Sequence, residues 1–380
     1  MNDVIIVGAG IIGCACAAAL SSQGIPVTLI EAGIVGGGAT AAGMGHLVVM
    51  DDNPAELALS SYSLQLWRKL VEANSLAHEY QRCGTVWVAS DAEEMHAAET
   101  KLANLRAHGI VGQILTSSAL QQAEPALRPG LAGALLVSDD ALVYPPKSAQ
   151  ILLDIALKNG ATLVRAEVTA LIPGGVRLHD GCDYFASEVV IANGIASMHL
   201  LPELPLRHKK GHILITQRYP DLIRHQLVEL AYIKSAHASS GDSVAFNLQP
   251  RPSGQIMIGS SRQFDVTDKI VEAAVLSKML AHAISFVPAL AQLQALRSWT
   301  GFRAASPDGL PLIGPHPWRK HVWLATGHEG LGITNSLASA ELLKNQMCGQ
   351  ASEISDTPYL PARLASLTDQ TPTANSGAPS

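Results

Sequence analysis

Residues 4–31 restrict the fold of this chain more than any other stretch, because an apolar segment there runs directly into closely spaced glycines. "VIIV" leads into Gly8-x-Gly10-x-x-Gly13, and "CACAAALSSQG" follows as a predicted helix of small residues. A second apolar segment, "IPVTLIEA", then ends near Glu31. Strand, glycine turn, helix and strand in this order predict a βαβ unit at the start of a parallel sheet.

The spacing of these glycines is typical of a site that binds a dinucleotide. Gly8 makes the tight turn, Gly10 admits a pyrophosphate close to the backbone, and Gly13 lets the helix pack against the strand. The pyrophosphate would lie at the helix N-terminus, which favours anions. Glu31 stands near the expected offset for an acid that accepts ribose hydroxyls, which disfavours NADP. The predicted contacts are Gly8, Gly10, Ile11, Ile12, Gly13, Glu31 and Ala32.

Composition bounds what else the chain can be. Its 380 residues suffice for about two domains, and 48% apolar with 15% charged residues indicate a compact core. A net charge of -6 argues against nucleic-acid binding. Apolar runs are too short for a membrane helix and no signal peptide is evident, so we expect a cytoplasmic protein whose membrane association, if any, runs through partners. The cysteines predict no metal site, iron–sulfur site or disulfide framework: Cys14, Cys16, Cys83, Cys182 and Cys348.

The segment that follows the acid, "GIVGGGATAAGMGHL" (Gly33 to Leu47), separates FAD from NAD as the cofactor. Small residues there would let the backbone wrap the far half of a large cofactor. The alternatives are a plain flexible loop and an NAD-dependent dehydrogenase.

Several segments together resemble the D-amino-acid oxidase / glycine oxidase family of FAD flavoenzymes. They are the glycine fingerprint, "GATAAGMG", "VVIANG", "WTGFRAASPDGLPLIG" and "GHEGLGIT". The resemblance implies an α/β fold with a Rossmann-like, glutathione-reductase-type FAD-binding domain, interleaved with an α+β substrate domain built on an antiparallel sheet. The implied FAD-binding ranges are 1–82, 143–212 and 296–360, and the substrate ranges are 83–142 and 213–295. Residues 361–380, rich in Ser, Thr and Pro, are predicted to be a disordered tail.

The resemblance also implies how FAD is held, without a covalent bond. The stretch 161–172 is predicted as one strand that passes the adenine. "GHEGLGIT" would bring a helix N-terminus to the pyrimidine edge of the flavin ring, where reduction places negative charge. The further cofactor contacts are Thr40, Ala41, Gly43, Met44, Gly45, Val168, Asn193, Gly194, Gly327, Gly330, Leu331, Gly332, Ile333 and Thr334.

Arg303 is the leading candidate for substrate binding, since the arginine of this motif grips the substrate carboxylate in relatives and a guanidinium pairs with a carboxylate bidentately. His46, His328, Glu329 and Asn247 are secondary candidates, each with a structural role as its alternative. Tyr232 is a weaker candidate for a lid. Relatives carry a basic or polar side chain near Glu329, so this chain departs from a second carboxylate clamp.

The implied reaction is oxidation of a C–N bond of a small amino acid. Within the family, three segments are most similar to the flavin subunit of bacterial D-hydroxyproline dehydrogenases: "AAGMGHLVVMDD", "FNLQPRPSGQIMIGSSRQF" and "GHEGLGIT". This resemblance implies that electrons leave to partner subunits or a respiratory acceptor. Alternatives are a glycine or D-amino-acid oxidase that uses oxygen, an opine oxidase or hydrogen cyanide synthase subunit, and a non-catalytic FAD-binding subunit.

Overall fold

The computed structural model describes residues 3–230 and 243–364 of the chain. A six-stranded sheet forms around the first strand, Val4–Val7, which pairs in parallel with Val27–Glu31 on one side and Glu188–Ile191 on the other. Apolar residues fill these strands because both faces of the sheet are covered. In spatial order the strands are Leu312–Pro315, Val322–Thr326, Glu188–Ile191, Val4–Val7, Val27–Glu31 and Thr162–Arg165.

Helices pack on this sheet through small residues. The first helix, Ile11–Ser21, is buried along nearly its whole length. A Cβ on Gly13 would lie 1.9 Å from the carbonyl oxygen of Gly8, so only glycine allows this approach of helix and strand. The other long helices of this half are Pro54–Glu72, Pro145–Lys158 and Gly332–Cys348.

An eight-stranded sheet forms the second half, and its pairs are antiparallel except for Gln226–Glu229 with Thr85–Ala89. Phe246 and Phe286 stack beneath it with ring centroids 4.3 Å apart. In spatial order its strands are Ala295–Ala305, Arg207–Arg218, Gln255–Phe264, Ser243–Pro250, Gln226–Glu229, Thr85–Ala89, Gly133–Val137 and Gly112–Thr116. The helices of this half are Ala92–Ala107, Ser117–Ala123 and Ala273–Phe286.

Smaller sheets and short helices complete the fold. A three-stranded sheet contains Val168–Ile172, Gly175–Leu178 and Asp183–Phe185, and a two-stranded one pairs His46–Leu47 with Ala141–Leu142. Short α-helices are Ala39–Ala42 and Ser197–Leu200; 3-10 helices are Gly194–Ala196, Pro288–Gln292, Thr357–Tyr359 and Pro361–Leu364. Across the described ranges, no helix combines the length and the apolar character that a membrane span requires.

The structure corrects three expectations about boundaries. The stretch 161–172 is two strands in different sheets, since Thr162–Arg165 joins the six-stranded sheet and Val168–Ile172 the three-stranded one. The eight-stranded sheet takes in residues 207–212 and 296–305, which were expected in the FAD-binding domain. The predicted tail begins too early, because Arg363 pairs with Asp308 and Leu364 is buried. Residues 365–380 lie outside the described ranges, as does Tyr232.

Candidate active site

The glycine turn after the first strand opens onto a cavity of about 590 Å³. Glu31 lies at its wall, where one carboxylate oxygen accepts the backbone N–H of Ala9 at 2.7 Å and the other accepts that of Gly33 at 2.7 Å. A carboxylate has about four acceptor positions. Two therefore remain for ribose hydroxyls, so this residue is held in place by the backbone and can still bind a ligand.

The first helix points its N-terminus at the same cavity and carries no acidic residue in its first turn. Thr40 accepts the N–H of Ile11 at 3.0 Å, which ties the segment after the acid to the helix start. Asn193 also lines the cavity, and its buried side-chain oxygen has no hydrogen-bond partner among the described residues. A helix N-terminus for an anion, a carboxylate for ribose and an unpaired amide oxygen fit FAD.

The other end of the cavity is formed by "GHEGLGIT". Gly327 and Glu329 adopt left-handed backbone angles, with φ of +75° and +50°, which turn the chain into the last helix. That helix begins at Gly332 with no side-chain cap and no acid in its first turn. Its free N–H groups are therefore suited to stabilise negative charge on a bound flavin ring.

Most residues expected to bind the cofactor line this cavity. They are Gly8, Gly10, Ile11, Ile12, Glu31, Ala32, Thr40, Gly43, Met44, Val168, Asn193, Gly194, Gly327, Gly330, Gly332 and Ile333.

Five residues expected at the cofactor lie elsewhere: Gly13, Ala41, Gly45, Leu331 and Thr334. A Cβ on Gly45 would stand 2.1 Å from the Val143 carbonyl oxygen, so this glycine, like Gly13, serves packing. The Thr334 hydroxyl donates to the carbonyl of His46 at 2.9 Å and thus ties the last helix to a neighbouring strand. Leu331 faces a second cavity instead.

This second cavity, of about 430 Å³, adjoins the first. We call it the outer cavity. Besides charged groups, it is lined by apolar side chains such as Val48, Met50 and Trp87. The residues that line both cavities mark where a substrate would meet the flavin: His46, Asn247, His328, Glu329 and Gly330. Four of these five are the secondary candidates named from the sequence.

Arg303 lines the cofactor cavity and lies between two glycines. Its guanidinium is 2.9 Å from the position that a Cβ on Gly211 would occupy, and its Nε is 3.7 Å from that of Gly330. Nη1 donates to the Ser261 carbonyl at 3.1 Å. Within the described ranges Arg303 forms no ion pair, so much of its donor fork remains available for a ligand carboxylate.

Glu329 faces Lys209, whose Nζ lies 2.5 Å from its Oε1. Burial alone would raise the pKa of the Glu329 carboxyl, but the charges of Lys209 and Arg303 outweigh burial and leave that pKa lowered. Glu329 is therefore a carboxylate at neutral pH. Its charge offsets that of Lys209, so this pair adds no net positive charge that could bind a second carboxylate.

The two histidines of the site are neutral near pH 7. Burial lowers the pKa of His46 to about 4 and that of His328 to about 3. The Nε2 atom of His328 lies 2.9 Å from the Ser339 hydroxyl in the last helix. A ring with so low a pKa is a weak base, so both histidines are suited to orient neighbours rather than to transfer protons.

Four residues line the outer cavity or contact a residue that does, but were not predicted from the sequence: Lys209, Gln226, Trp87 and Glu56. Lys209 could have been suspected, because "RHKK" places two lysines shortly before the apolar run "ILI" of the same strand, and Lys209 is buried there. Burial, followed by the charges of Asp52 and Glu329, raises the pKa of Glu56 to about 7. No local sequence signal marks Glu56, Trp87 or Gln226, since their positions depend on tertiary contacts.

Two large sheets that carry a dinucleotide cavity beside a small-ligand cavity are the arrangement of an enzyme that oxidises a small molecule with a bound redox cofactor. The chain belongs to the FAD dependent oxidoreductase (DAO) family, whose model matches residues 3–346. FAD is its cofactor.

Particular members of the family are similar over nearly the full chain. Glycine oxidase of Pseudomonas aeruginosa is 30% identical, with 94% of this chain and 98% of that protein covered. Hydrogen cyanide synthase subunit HcnC of the same organism is 27% identical, covering 95% of this chain and 96% of that one. The crystal structure of glycine oxidase from Geobacillus kaustophilus superposes with a TM-score of 0.85 at 26% identity, over 95% of this chain and 98% of that one.

Proposed function

We propose that this protein oxidises the C–N bond of a cyclic amino acid, with cis-4-hydroxy-D-proline as its substrate and a cyclic imine as the product. The observation that carries the proposal is Arg303. A guanidinium without a carboxylate partner among the described residues lines the cofactor cavity, where two glycines clear space around it.

Arg303 binds the substrate carboxylate and so fixes the α-carbon over the flavin. Glu329 and Lys209 neutralise each other beside it, which leaves the net positive charge with Arg303. The neutral rings of His46 and His328 add no charge near the reacting amine. When bound, FAD supplies the hydride acceptor, and the protein contributes orientation, charge and exclusion of water.

The outer cavity favours a ring-bearing substrate over glycine. Its volume of about 430 Å³ exceeds what glycine could fill, and its apolar wall, which includes Val48, Met50 and Trp87, suits the methylene groups of a pyrrolidine. Asn247, at the boundary of the two cavities, offers a polar contact for a ring hydroxyl.

Electrons then leave through partner subunits or a respiratory acceptor. All five cysteines are free thiols, and Cys14 and Cys16 are fully buried in the first helix, so this chain holds no cysteine cluster for an iron–sulfur relay. HcnC, a relative over 95% of this chain, is named as a subunit, which supports an assembly of this kind.

A glycine oxidase that uses oxygen is the second candidate, favoured by the 30% identity to the Pseudomonas aeruginosa enzyme. Anaerobic bleaching of the flavin spectrum by D- and L-isomers of hydroxyproline and proline, sarcosine and glycine separates the two. Rapid bleaching by cis-4-hydroxy-D-proline with slow return in air is expected. Bleaching by glycine with fast return in air would favour the oxidase, and a bound flavin that no compound bleaches would favour a partner-dependent or non-catalytic subunit.

A further inference from the structure

A chain of hydrogen bonds crosses from the eight-stranded sheet to the boundary between the two cavities. Gln226, fully buried, donates from Nε2 to the Ala141 carbonyl at 3.1 Å and contacts Nδ1 of His46 through its Oε1. Nε2 of His46 in turn lies 3.3 Å from Nδ2 of Asn247. Four groups in series are thus joined, from a backbone carbonyl to a residue that lines both cavities.

The direction of each bond follows from its first member. Because the Gln226 amide nitrogen donates to a carbonyl, its oxygen is the atom that faces His46 and must accept. Nδ1 of His46 therefore carries the proton. The ring is neutral, so its Nε2 is an acceptor and takes an N–H from Asn247. The ambiguity of an amide's orientation is resolved by the network.

The side-chain oxygen of Asn247 is the atom at the end of this chain of hydrogen bonds that is left for a ligand. It is buried and has no hydrogen-bond partner among the described residues. An unpaired buried acceptor is unfavourable unless a ligand supplies the donor. The boundary between the cavities thus presents a fixed acceptor, and it would reject a substrate atom that can only accept.

We infer that the side-chain oxygen of Asn247 accepts a hydrogen bond from an N–H or O–H group of the substrate, and that His46 and Gln226 are positioning residues that hold the amide in this orientation. The inference rests on the proposed function for the identity of the substrate. The two sources of the donor are the ring nitrogen of a cyclic amino acid and its ring hydroxyl.

Two matched ligand pairs distinguish these sources. Pyrrole-2-carboxylate and 2-furoate differ at the ring atom next to the carbon that bears the carboxylate: the pyrrole N–H donates a hydrogen bond, whereas the furan oxygen can only accept. The affinity of each is measured from the change that it causes in the flavin spectrum. cis-4-Hydroxy-D-proline and D-proline differ in the hydroxyl and are read by the rate of anaerobic flavin reduction. The holoenzyme should favour the donor in at least one pair by about three- to tenfold, the usual worth of one neutral hydrogen bond.

In Asn247→Leu, the preference for the donor over its partner in the same ligand pair should fall close to one. Gln249→Leu is the control, since Gln249 is an amide two residues along the same strand, is fully buried and lines neither cavity, whereas Asn247 is partly exposed to both. If Asn247→Leu leaves both ratios as in the wild type, or if the wild type shows no preference in either pair, the inference is wrong. If no amino acid reduces the flavin, the proposed function fails, while the aromatic pair still tests the orientation of Asn247.

Nitrogen-15 NMR of the His46 ring, assigned by its loss in His46→Asn, tests the positioning role directly. The wild type should show the Nδ1–H tautomer, and the Nε2–H tautomer would overturn the inference. Gln226→Glu places a carboxylate at Nδ1, which favours the charged ring and should raise the pKa of His46. The charged ring donates from Nε2, so Asn247 must turn its oxygen inward and the donor preference should fall as the pH drops through that raised pKa.

Other charged groups also affect the pKa of the His46 ring, and the variants must leave them unchanged. Burial is the main cause of the low pKa of His46, and the charge of Arg251 lowers that pKa further. The further charged or titratable groups that line the two cavities are Glu31, Asp52, Glu56, Glu167, His199, Arg207, Lys209, Arg262, Arg303, Asp308, His328 and Glu329. A Gln226→Leu variant removes the acceptor without adding charge, so it should weaken the donor preference at every pH rather than shift it along the pH axis.

Discussion

At the scale of single residues, the pair of Lys209 and Glu329 joins two parts of the fold through a shielded ion pair. Lys209 is one-tenth exposed and Glu329 about one-quarter exposed at their side chains, so the pair is shielded from water on most sides. Glu329 also sits in a left-handed turn, with φ of +50°. The pair thus joins the turn before the last helix to the eight-stranded sheet, and its two charges offset each other at the wall of the outer cavity.

Glu329→Gln should destabilise the protein by about 1–3 kcal/mol, between the values for exposed and fully buried ion pairs. The pKa of Glu329 is lowered in the folded state, so its contribution is complete above the unfolded pKa near 4.3 and is lost as the pH falls through the folded value. The contribution of Glu329 to stability is measured as the difference in melting temperature between wild type and variant, with saturating FAD, at pH 7 and at pH 3.5. A difference in melting temperature that is as large at pH 3.5 as at pH 7 would contradict the stabilising role of the Glu329 charge.

Arg303→Ala should reduce kcat/KM by about tenfold to a thousandfold, since charge-assisted and bidentate contacts are each worth roughly 1.5–3 kcal/mol. Arg303→Lys should restore only part of the loss, because an ammonium lacks the planar fork. Flavin content and melting temperature serve as controls and should stay close to those of the wild type. Unchanged steady-state kinetics in Arg303→Ala would remove the carboxylate clamp from the proposal.

At the scale of elements, the start of the chain could be predicted almost completely from its sequence. The first strand, the first helix and the strand that ends at Glu31 lie where the glycine spacing and apolar runs place them. Steric contact explains this agreement, since the requirement for glycine is set by atoms only a few residues apart.

Elements whose partners lie far along the chain were predicted less well. The stretch 161–172 has the apolar pattern of one strand, yet the backbone N–H of Ala166 bonds to the Glu31 carbonyl and the chain then leaves for another sheet. Periodicity reports which face of a segment is buried but not which strand covers its edge.

Gly13→Ala tests the element-scale packing. The added Cβ would lie 1.9 Å from the Gly8 carbonyl oxygen, so the helix must move away from the strand. We expect a loss of about 1–3 kcal/mol from overpacking and a lower ratio of flavin to protein absorbance. Gly33→Ala is the matched control, because its Cβ would meet only Glu31 at an ordinary 3.5 Å. Equal flavin content in the two variants would refute this account of the turn.

At the scale of the whole molecule, the site lies where the two large sheets meet, and this is the part that the sequence could indicate only through resemblance. His46 lies at the end of the glycine-rich segment, Asn247 lies in the eight-stranded sheet, and their side chains meet although 201 positions of sequence separate them. Arg303 was named from its motif, but its neighbours Gly211 and Ser261 come from two other strands. Contacts of this kind depend on topology rather than on local pattern.

The same burial that builds the site makes stability depend on pH in two opposing ways. Burial lowers the pKa of His328 to about 3, so the unfolded chain takes up a proton below pH 6.5 that the folded chain does not, and stability is lost as the pH falls. Burial raises the pKa of Asp140 to about 7, so the folded chain keeps a proton that the unfolded chain releases above pH 4, and stability is lost as the pH rises.

Each slope is at most about 1.4 kcal/mol per pH unit, so the two largely cancel between pH 5 and 6.5. Replacing one of the two groups should make the pH dependence caused by the other group visible. We expect the melting temperature of His328→Gln, relative to the wild type, to rise as the pH falls from 6.5 to 5, and that of Asp140→Asn to rise as the pH increases from 5 to 7. Both substitutions keep a polar partner for the contacts that these residues make with Ser339 and the Val49 N–H. Curves for the two variants that run parallel to the wild type across this range would show that neither group changes its protonation on folding.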